Sequence, residues 1–187
     1  PKPEGYSQGP EDFQRLLWRE DIDAVVIATS WDWHTPMAVC AMQNKKYAAV
    51  EVPAAMTFEE CWKLVDAYEA TGVPCMMLEN WSFRQDNLAL LNMVRKGLFG
   101  EVVHVQASHT HDCIDHWFFS PEGHMRWGGR YLMKHNRSQY PTHAVGPVWP
   151  WMNIGCGDYF DTAVSMANRQ LGINDYFGRK FGASHPY

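Results

Sequence analysis

The amino-acid sequence contains no apolar run of the roughly 18 to 20 residues that a membrane-spanning helix needs. It has no basic excess either, because 21 acidic residues outnumber 16 Lys and Arg, so a nucleic-acid partner is not expected. Its five cysteines form no C-x-x-C pair, which argues against a disulfide framework and favours mostly buried thiols. What remains is an ordinary composition, with 46% apolar residues among 187, enough for a core in one or two domains.

Three short apolar runs alternate with helical patterns in the first half of the chain. The predicted strands are residues 24–29, 47–53 and 75–78, and the first is unbroken, which is typical of a strand buried on both faces. Helices are predicted over residues 36–44, capped by Thr35, and over 57–72, where Thr57 and Glu60 form a capping box. Alternation at a spacing of about 25 residues predicts an α/β fold with a parallel sheet.

Three of the predicted helices carry an apolar stripe that we expect to face the core. The stripes are Phe13, Leu16 and Leu17 in residues 11–20; Phe58, Trp62, Val65 and Tyr68 in residues 57–72; and Leu88, Leu91 and Val94 in residues 84–96.

The pattern changes after Gly100, and we place a domain boundary near residues 97–100, giving domains 1–100 and 101–187. Residues 101–111 alternate apolar and polar, which predicts a half-buried strand, and a further strand is predicted over 159–165. Between them we expect a long loop with a short helix over 130–135. A second helix is predicted to open near Pro141, to be kinked or shortened by Pro147 and Pro150, and to end at Cys156 and Gly157.

Polar residues follow the three predicted strands, in a turn at 31–34 and at Glu51 and Asn80. Carboxyl ends of parallel strands meet at one edge, where ligands of open α/β sheets bind, so these groups predict a cofactor site. Tyr140 and His143 offer a phenol and an imidazole within one helical turn, a pair suited to proton transfer. Capping and burial explain the same two residues equally well.

A metal site is the alternative for the histidine-rich segment near residue 110. His109 and His111 would share one face of the predicted strand, but zinc would need a second cluster of ligands, and only dispersed histidines follow. We therefore expect a polar pocket wall here and no metal.

Five segments together resemble the Gfo/Idh/MocA oxidoreductase-like proteins, and most closely their branch glycoside hydrolase family 109, the NAD-dependent α-N-acetylgalactosaminidases. They are WDWHTPMAV, EVPAAMTFEECW, ATGVPCMMLEN, LNMVRKGLFGEVVH and NRSQYPTHAVGPV, within roughly residues 21–182. The W-x-W-H turn and YPTH followed by Gly-Pro are specific to that branch. Val52 stands where sugar dehydrogenases of the superfamily usually have a catalytic lysine, which favours the glycosidase branch.

The resemblance implies a partial Rossmann-like parallel sheet followed by part of an α+β second domain that serves substrate binding and oligomerisation. It implies NAD as cofactor and a small carbohydrate as substrate. The implied cofactor contacts are Trp31, Asp32, Trp33, His34, Glu51, Val52 and Asn80. The implied sugar contacts are His109, Tyr140, Pro141, Thr142 and His143, with Tyr140 and His143 as the catalytic pair, their roles as base and acid unassigned.

The implied mechanism is redox-neutral. Carbon 3 of the sugar is oxidised by hydride transfer to NAD⁺, a base removes the acidified proton from carbon 2, and the aglycone leaves by elimination. Water then adds and the hydride returns to carbon 3. This route does not need the two opposed carboxylates of ordinary glycosidases.

The chain departs from the family pattern in several places. It has no G-x-G-x-x-G phosphate loop, so we expect an incomplete chain that lacks the first strand and binds NAD weakly by itself. His109 replaces a family tyrosine, Phe83 another tyrosine, and Gly128 an arginine for which Arg126 or Arg130 could substitute.

Two other functions stay open at this point. One is a sugar or inositol dehydrogenase, which would accumulate NADH, and the other is a non-catalytic sugar-binding fragment, which NAD would not stabilise against heat. Family members often form homo-oligomers, so the resemblance makes one an expectation for this chain.

Overall fold

The structure is a computed structural model that describes residues 2–135, 137–139, 141–169 and 171–184. The chain forms two compact units, Pro1–Asn80 and Trp81–Tyr187. The second compact unit therefore includes residues 81–100. The domain boundary that the sequence predicts near residues 97–100 concerns functional domains and stays a prediction. The helices are α1 Phe13–Leu17, α2 His34–Gln43, α3 Phe58–Thr71, α4 Gln85–Arg95, α5 Trp127–Lys134, α6 Thr142–Val148 and α7 Gly172–Phe181.

The first unit is built on a three-stranded parallel sheet, as the sequence predicts. Strands β1 (Ala24–Ile27), β2 (Tyr47–Val50) and β3 (Cys75–Met77) lie in the order β1-β2-β3. Ala24 pairs with Tyr47 and Ala48 with Cys75, so the three strands begin at one level and end at one edge. The α/β class and the partial Rossmann-like architecture are therefore confirmed for this unit.

The core of this unit lies where α2 packs on the sheet. Ala38, Ala41 and Met42 of α2 are fully buried against Ala48 and Val50 of β2, and the small side chains let helix and sheet approach closely. The prediction that β1 is buried on both faces is wrong, because Val26 is 72% exposed while Ile27 is buried. Helices α2 and α3 pack against each other and cover one face of the sheet only, which leaves Val26 uncovered.

The predicted apolar stripe of α3 does not face the core, and that of α4 is only partly buried, through Leu91 and Val94. In α3 the four large residues are all exposed, Phe58 most of all, and the helix packs instead through Ala67 and Leu64. Leu88 of α4 is exposed and no residue of α4 is fully buried. Helical periodicity identified the apolar side chains on one face of each helix, but it did not predict which face of the helix packs against the core.

The ends of α2 and α3 show which capping predictions are right. Glu60 N–H donates to Thr57 Oγ1 (3.2 Å), but the Glu60 carboxylate accepts from Met56 N–H (2.7 Å), so half of the capping box forms as predicted. Gly72 ends α3 in the left-handed conformation, φ 68°, as a C-terminal glycine should. The prediction for α2 is wrong, because the helix begins at His34 and Thr35 does not cap it.

The second unit is helical in its described part. The predicted strands over 101–111 and 159–165 are wrong, since neither segment pairs with a neighbouring strand. Outside the three-stranded sheet, the described residues contain only two isolated bridges, Phe119 with Met125 and Ile154 with Asp158. An alternating pattern becomes a strand only when a neighbouring backbone accepts its hydrogen bonds. α5 begins at Trp127, three residues before the prediction. α6 ends at Val148, so the predicted end at Cys156 and Gly157 is wrong, while Pro147 and Pro150 shorten the helix as predicted.

Helix α7 and a π-helical turn at Ile114–Phe118 were not predicted, yet they contribute the core of this unit. Phe177 of α7 is 1% exposed and packs edge-on against Phe119, with ring centroids 4.5 Å apart. At the rim, Lys180 Nζ lies 3.0 Å from Asp115 Oδ1, and Tyr176 donates to the same oxygen. An exposed ion pair contributes little, so the aromatic contact holds α7 in place.

We expect Gly129→Ala to destabilise this unit by about 2 kcal/mol, because its added methyl would overpack the core. A Cβ at Gly129 would lie 2.4 Å from the Phe118 carbonyl oxygen, which is backbone and cannot rotate away. Urea denaturation followed by circular dichroism measures the loss. Gly178→Ala in α7 is the matched control: its Cβ meets nothing within 4 Å, and we expect no loss of stability. Equal midpoints for the two variants would contradict the packing described here.

Candidate functional site

The first candidate region is the edge where the three strands of unit 1 end. A 3₁₀ turn, Trp31–Trp33, follows β1, while Glu51 follows β2 and Asn80 comes three residues after β3. Backbone bonds fix this edge: Glu51 N–H donates to the Ile27 carbonyl (2.9 Å) and Leu78 N–H to the Val50 carbonyl (2.8 Å). The predicted convergence of the strand ends is thus present within the unit.

Two side chains from the first turn of α2, His34 and Thr35, hydrogen-bond to backbone carbonyl groups at this edge of the sheet. His34 Nδ1 lies 2.8 Å from the Pro53 carbonyl oxygen and Nε2 lies 3.1 Å from the Thr29 carbonyl oxygen. Thr35 Oγ1 donates to the Ala54 carbonyl (2.9 Å). Because His34 is 1% and Thr35 2% exposed, these bonds are shielded from water and tie the end of β1 to the loop after β2.

The seven predicted cofactor contacts divide by exposure into three exposed residues, three buried residues and one half-buried residue. Asp32, Glu51 and Asn80 are exposed polar side chains at three successive strand ends, an arrangement that fits hydrogen bonding to a dinucleotide. Trp31, His34 and Val52 are buried, and both imidazole nitrogens of His34 face backbone oxygens. Trp33 is half-buried and packs edge-on against Phe13, 6.1 Å between centroids. We therefore propose that the buried three shape the edge, and that the exposed three contact the cofactor.

The second candidate region, within unit 2, is a group of four rings that we call the imidazole–indole group: Trp81, His109, His111 and His143. The Trp81 indole stacks on the His143 imidazole, with centroids 5.2 Å apart and an interplanar angle of 19°. The His109 ring stands edge-on to both, 4.9 Å from each. His111, which is exposed, lies 4.5 Å from His109. His109 and His143, distant in sequence, are brought together as the predicted sugar site requires.

The other predicted sugar contacts surround the start of α6. Tyr140 lies outside the described residues, and its catalytic and sugar-binding roles stay predictions. Pro141 is exposed and occupies the N-cap position of α6. Thr142 Oγ1 is buried and makes no hydrogen bond within the part of the chain that the structure describes. A buried hydroxyl without a partner is unfavourable, so a ligand oxygen there would stabilise it.

Gly128, where the resemblance implies an arginine, is closely packed. A Cβ there would lie 3.1 Å from Trp117 Cδ1 and 3.2 Å from the Trp117 carbonyl oxygen, so a larger side chain would require Trp117 to move. Of the two arginines that could substitute, Arg126 donates to the His116 carbonyl (2.6 Å), and Arg130 is exposed on α5. Phe83 is exposed as well.

Neither metal ligation nor cysteine nucleophilicity is supported in these regions. No group of three or more His, Cys, Asp or Glu side chains has the geometry to hold a metal ion, as far as the described residues extend. Burial, and secondarily the Asp112 carboxylate, raises the pKa of the Cys113 thiol above its ordinary value, which disfavours the reactive thiolate. All five cysteines are free thiols, and two of them, Cys61 and Cys156, are exposed, contrary to the expectation of burial.

The parallel sheet with polar residues at its strand ends defines an α/β protein with a partial Rossmann-like fold. Consistent with this class, residues 6–79 match the family model described as oxidoreductase family, NAD-binding Rossmann fold. Residues 83–187, more than half of the chain, match the model of the glycosyl hydrolase 109 C-terminal domain, and the chain therefore belongs to glycosyl hydrolase family 109. Trp81, which no motif indicated, lies between the two matches.

The chain is similar along its whole length to curated members of this family. It is 45% identical to an α-N-acetylgalactosaminidase of Bacteroides fragilis over 190 aligned positions, covering 100% of this chain and 44% of the relative. It is 44% identical to the enzyme of the same name from Shewanella oneidensis, covering 99% of this chain and 40% of the relative. The chain thus spans less than half the length of these relatives.

Among solved structures, apo scyllo-inositol dehydrogenase from Lactobacillus casei aligns with a TM-score of 0.45 and 20% identity, over 49% of this chain and 27% of that one. In addition, none of the described helices has the length and apolarity that crossing a bilayer requires.

Proposed function

We propose that this chain carries part of the active site of an NAD-dependent glycosidase that acts on N-acetylhexosaminides, α-N-acetylgalactosaminides in particular. The name of the Bacteroides fragilis relative supports the substrate class, and the Rossmann-type match supports the cofactor. The observation that carries the proposal is the contact of His143 with His109, two residues expected in the sugar site, in the imidazole–indole group.

The strand-end edge of unit 1 would hold the cofactor. Asp32, Glu51 and Asn80 offer two carboxylates and an amide, groups that hydrogen-bond ribose hydroxyls and carboxamides. When bound, NAD⁺ supplies a hydride acceptor for carbon 3 of the sugar. His34 and Thr35 take no part in that chemistry and keep the loop after β2 in position.

His143 and Tyr140 would form the proton-transfer pair. Once carbon 3 is a ketone, the proton on carbon 2 is acidic, and an imidazole or phenolate can remove it. The electron pair of the broken C–H bond moves toward carbon 3 and then expels the aglycone oxygen from carbon 1. A second group protonates that leaving oxygen. Thr142 Oγ1, buried and available to a sugar hydroxyl, would orient the ring.

A 3-oxo-α-N-acetylgalactosaminide tests this chemistry without depending on cofactor affinity. Incubated with the chain in deuterated water, it should exchange the carbon-2 hydrogen and release its aglycone, both measurable by proton NMR. Absence of exchange above the buffer rate would overturn the proposal. With the unoxidised glycoside and saturating NAD, near-ultraviolet absorbance should show no net NADH, because the hydride returns; accumulation would favour a dehydrogenase instead.

The partners proposed for the whole protein follow from the same sources. We propose a small carbohydrate as the substrate, a homo-oligomer from the family resemblance, and no nucleic-acid partner for this chain, whose net charge is -5. Sedimentation velocity across a range of concentrations measures the oligomeric state.

A further inference from the structure

We infer that Trp81 is the positioning residue for His143: its indole face holds the imidazole plane in the orientation that proton transfer at carbon 2 requires. This inference rests on the proposed function for its catalytic meaning. Trp81 was not among the residues predicted to act in the site. It immediately follows Asn80 in the chain and precedes α4.

The orientation of His143 needs an external constraint. The χ2 torsion of histidine is broad, so the imidazole plane rotates unless neighbouring groups fix it. Helix α6, which carries His143, is only seven residues long and contains Pro147. The near-parallel indole, at 5.2 Å and 19°, covers one face of the imidazole, and the perpendicular His109 ring limits rotation at its edge.

Trp81 is in turn anchored from the α4 side. Its carbonyl oxygen accepts from Asn87 Nδ2 at 2.7 Å, and the Arg84 guanidinium lies 4.8 Å from the centroid of its ring. Arg84 is held by Asp86, with Nη2 2.9 Å from Oδ2. The start of α4 therefore fixes the indole, and the indole fixes the imidazole. A flat ring stacked in this way constrains the plane of the His143 imidazole and does not itself cover the edge that carries the ring nitrogens.

The inference predicts different results for two substitutions at Trp81. Trp81→Ala should leave the KM for the 3-oxo glycoside within about twofold and lower kcat for carbon-2 exchange about 10- to 100-fold, the range expected when a reacting group is misplaced. Trp81→Phe, which keeps a flat ring, should recover most of kcat. If both variants lose activity equally, or if KM alone changes, the positioning role is wrong.

NMR of His143 provides a readout that does not need turnover. The indole ring current displaces the His143 carbon-bound ring protons, so Trp81→Ala should move these signals downfield and Trp81→Phe should move them less. Trp149→Ala is the control, because this indole packs on Phe160, 5.0 Å between centroids. Unchanged His143 signals in Trp81→Ala would overturn the inference.

Chemical rescue separates positioning from folding. In His143→Gly, added imidazole should occupy the vacated space against Trp81 and restore exchange. In the double variant with Trp81→Ala, rescue should require about fivefold more imidazole, because the indole on which the added imidazole would stack is absent. Equal rescue in the two backgrounds would refute the role of Trp81. If the wild type does not exchange at all, the proposed function fails, while the NMR comparison still decides whether Trp81 orients His143.

Discussion

Replacing His143 by alanine is expected to lower the rate of carbon-2 exchange on the 3-oxo glycoside by about 10²- to 10⁴-fold, the usual contribution of a general base or acid. His143 lies in the first turn of α6, half-buried, in contact with Trp81 and His109. Its removal leaves the sugar without the imidazole that we assign to proton transfer. The measurement is the initial rate of deuterium incorporation, with folding checked by circular dichroism.

His116→Ala is the matched control for this variant. His116 is an exposed histidine of the π-helical turn, and its contact with Arg126 runs through its backbone carbonyl, which alanine retains. We expect its rate to stay within about twofold of wild type, as for surface substitutions in general. Equal losses for the two variants would mean that His143 has no specific role.

Tyr140→Phe in the same assay determines which of Tyr140 and His143 acts as the base and which as the acid. If the phenol instead of the imidazole is the base at carbon 2, Tyr140→Phe should lose exchange and His143→Ala should retain it, contrary to the role we assign to His143. If the imidazole is the base, Tyr140→Phe should exchange normally and be slow only in releasing a poorly activated aglycone. The two results assign base and acid without reference to the position of Tyr140.

The second large effect is expected on stability, from His34→Ala. The substitution leaves the Thr29 and Pro53 carbonyl oxygens without their shared partner and opens a cavity at a site that is 1% exposed. Losing buried hydrogen bonds and side-chain volume together should lower the free energy of unfolding by about 3 kcal/mol. That is a large fraction of the roughly 5 to 15 kcal/mol that stabilises a typical domain.

Hydrogen exchange of single amides localises this effect. The Glu51 and Leu78 amides donate across the sheet at its carboxyl edge, and their protection should fall in His34→Ala before protection elsewhere. Gln43→Ala, an exposed change at the end of α2, should leave both amides protected. If His34→Ala keeps them equally protected, the imidazole does not hold the two strand ends together.

The parallel sheet could be predicted from the sequence because its strands and helices repeat in a local pattern. Apolar runs at about 25-residue spacing identified all three strands, since strands buried in a parallel sheet need apolar side chains regardless of their neighbours. Which face of α3 is buried could not be predicted in this way. The helix meets the sheet through Ala67 and Leu64, and packing of small residues decides that orientation against the larger stripe.

The structure of the second unit could not be predicted from local sequence patterns. The alternation over residues 101–111 predicted a strand, but a strand needs a partner, and pairing is a property of distant segments. Helix α7 was missed although Ile173, Phe177 and Phe181 recur at helical spacing, because the segment is short and contains Gly172 and Gly178, which favour loops. At the site, YPTH indicated His143, whereas Trp81 has no motif and is recognised only by its stack in three dimensions.

Strand β1 is an edge strand of the three-stranded sheet. This position affects how the chain behaves in solution. The backbone of β1 is paired on one side by β2, and the neighbouring Val26 side chain is 72% exposed. Such a border is a template on which another molecule can add a strand, and natural proteins protect it with charged residues. For a sample of this 187-residue chain by itself, the border at β1 therefore favours edge-to-edge aggregation at high concentration, and a lysine in place of Val26 would act against it.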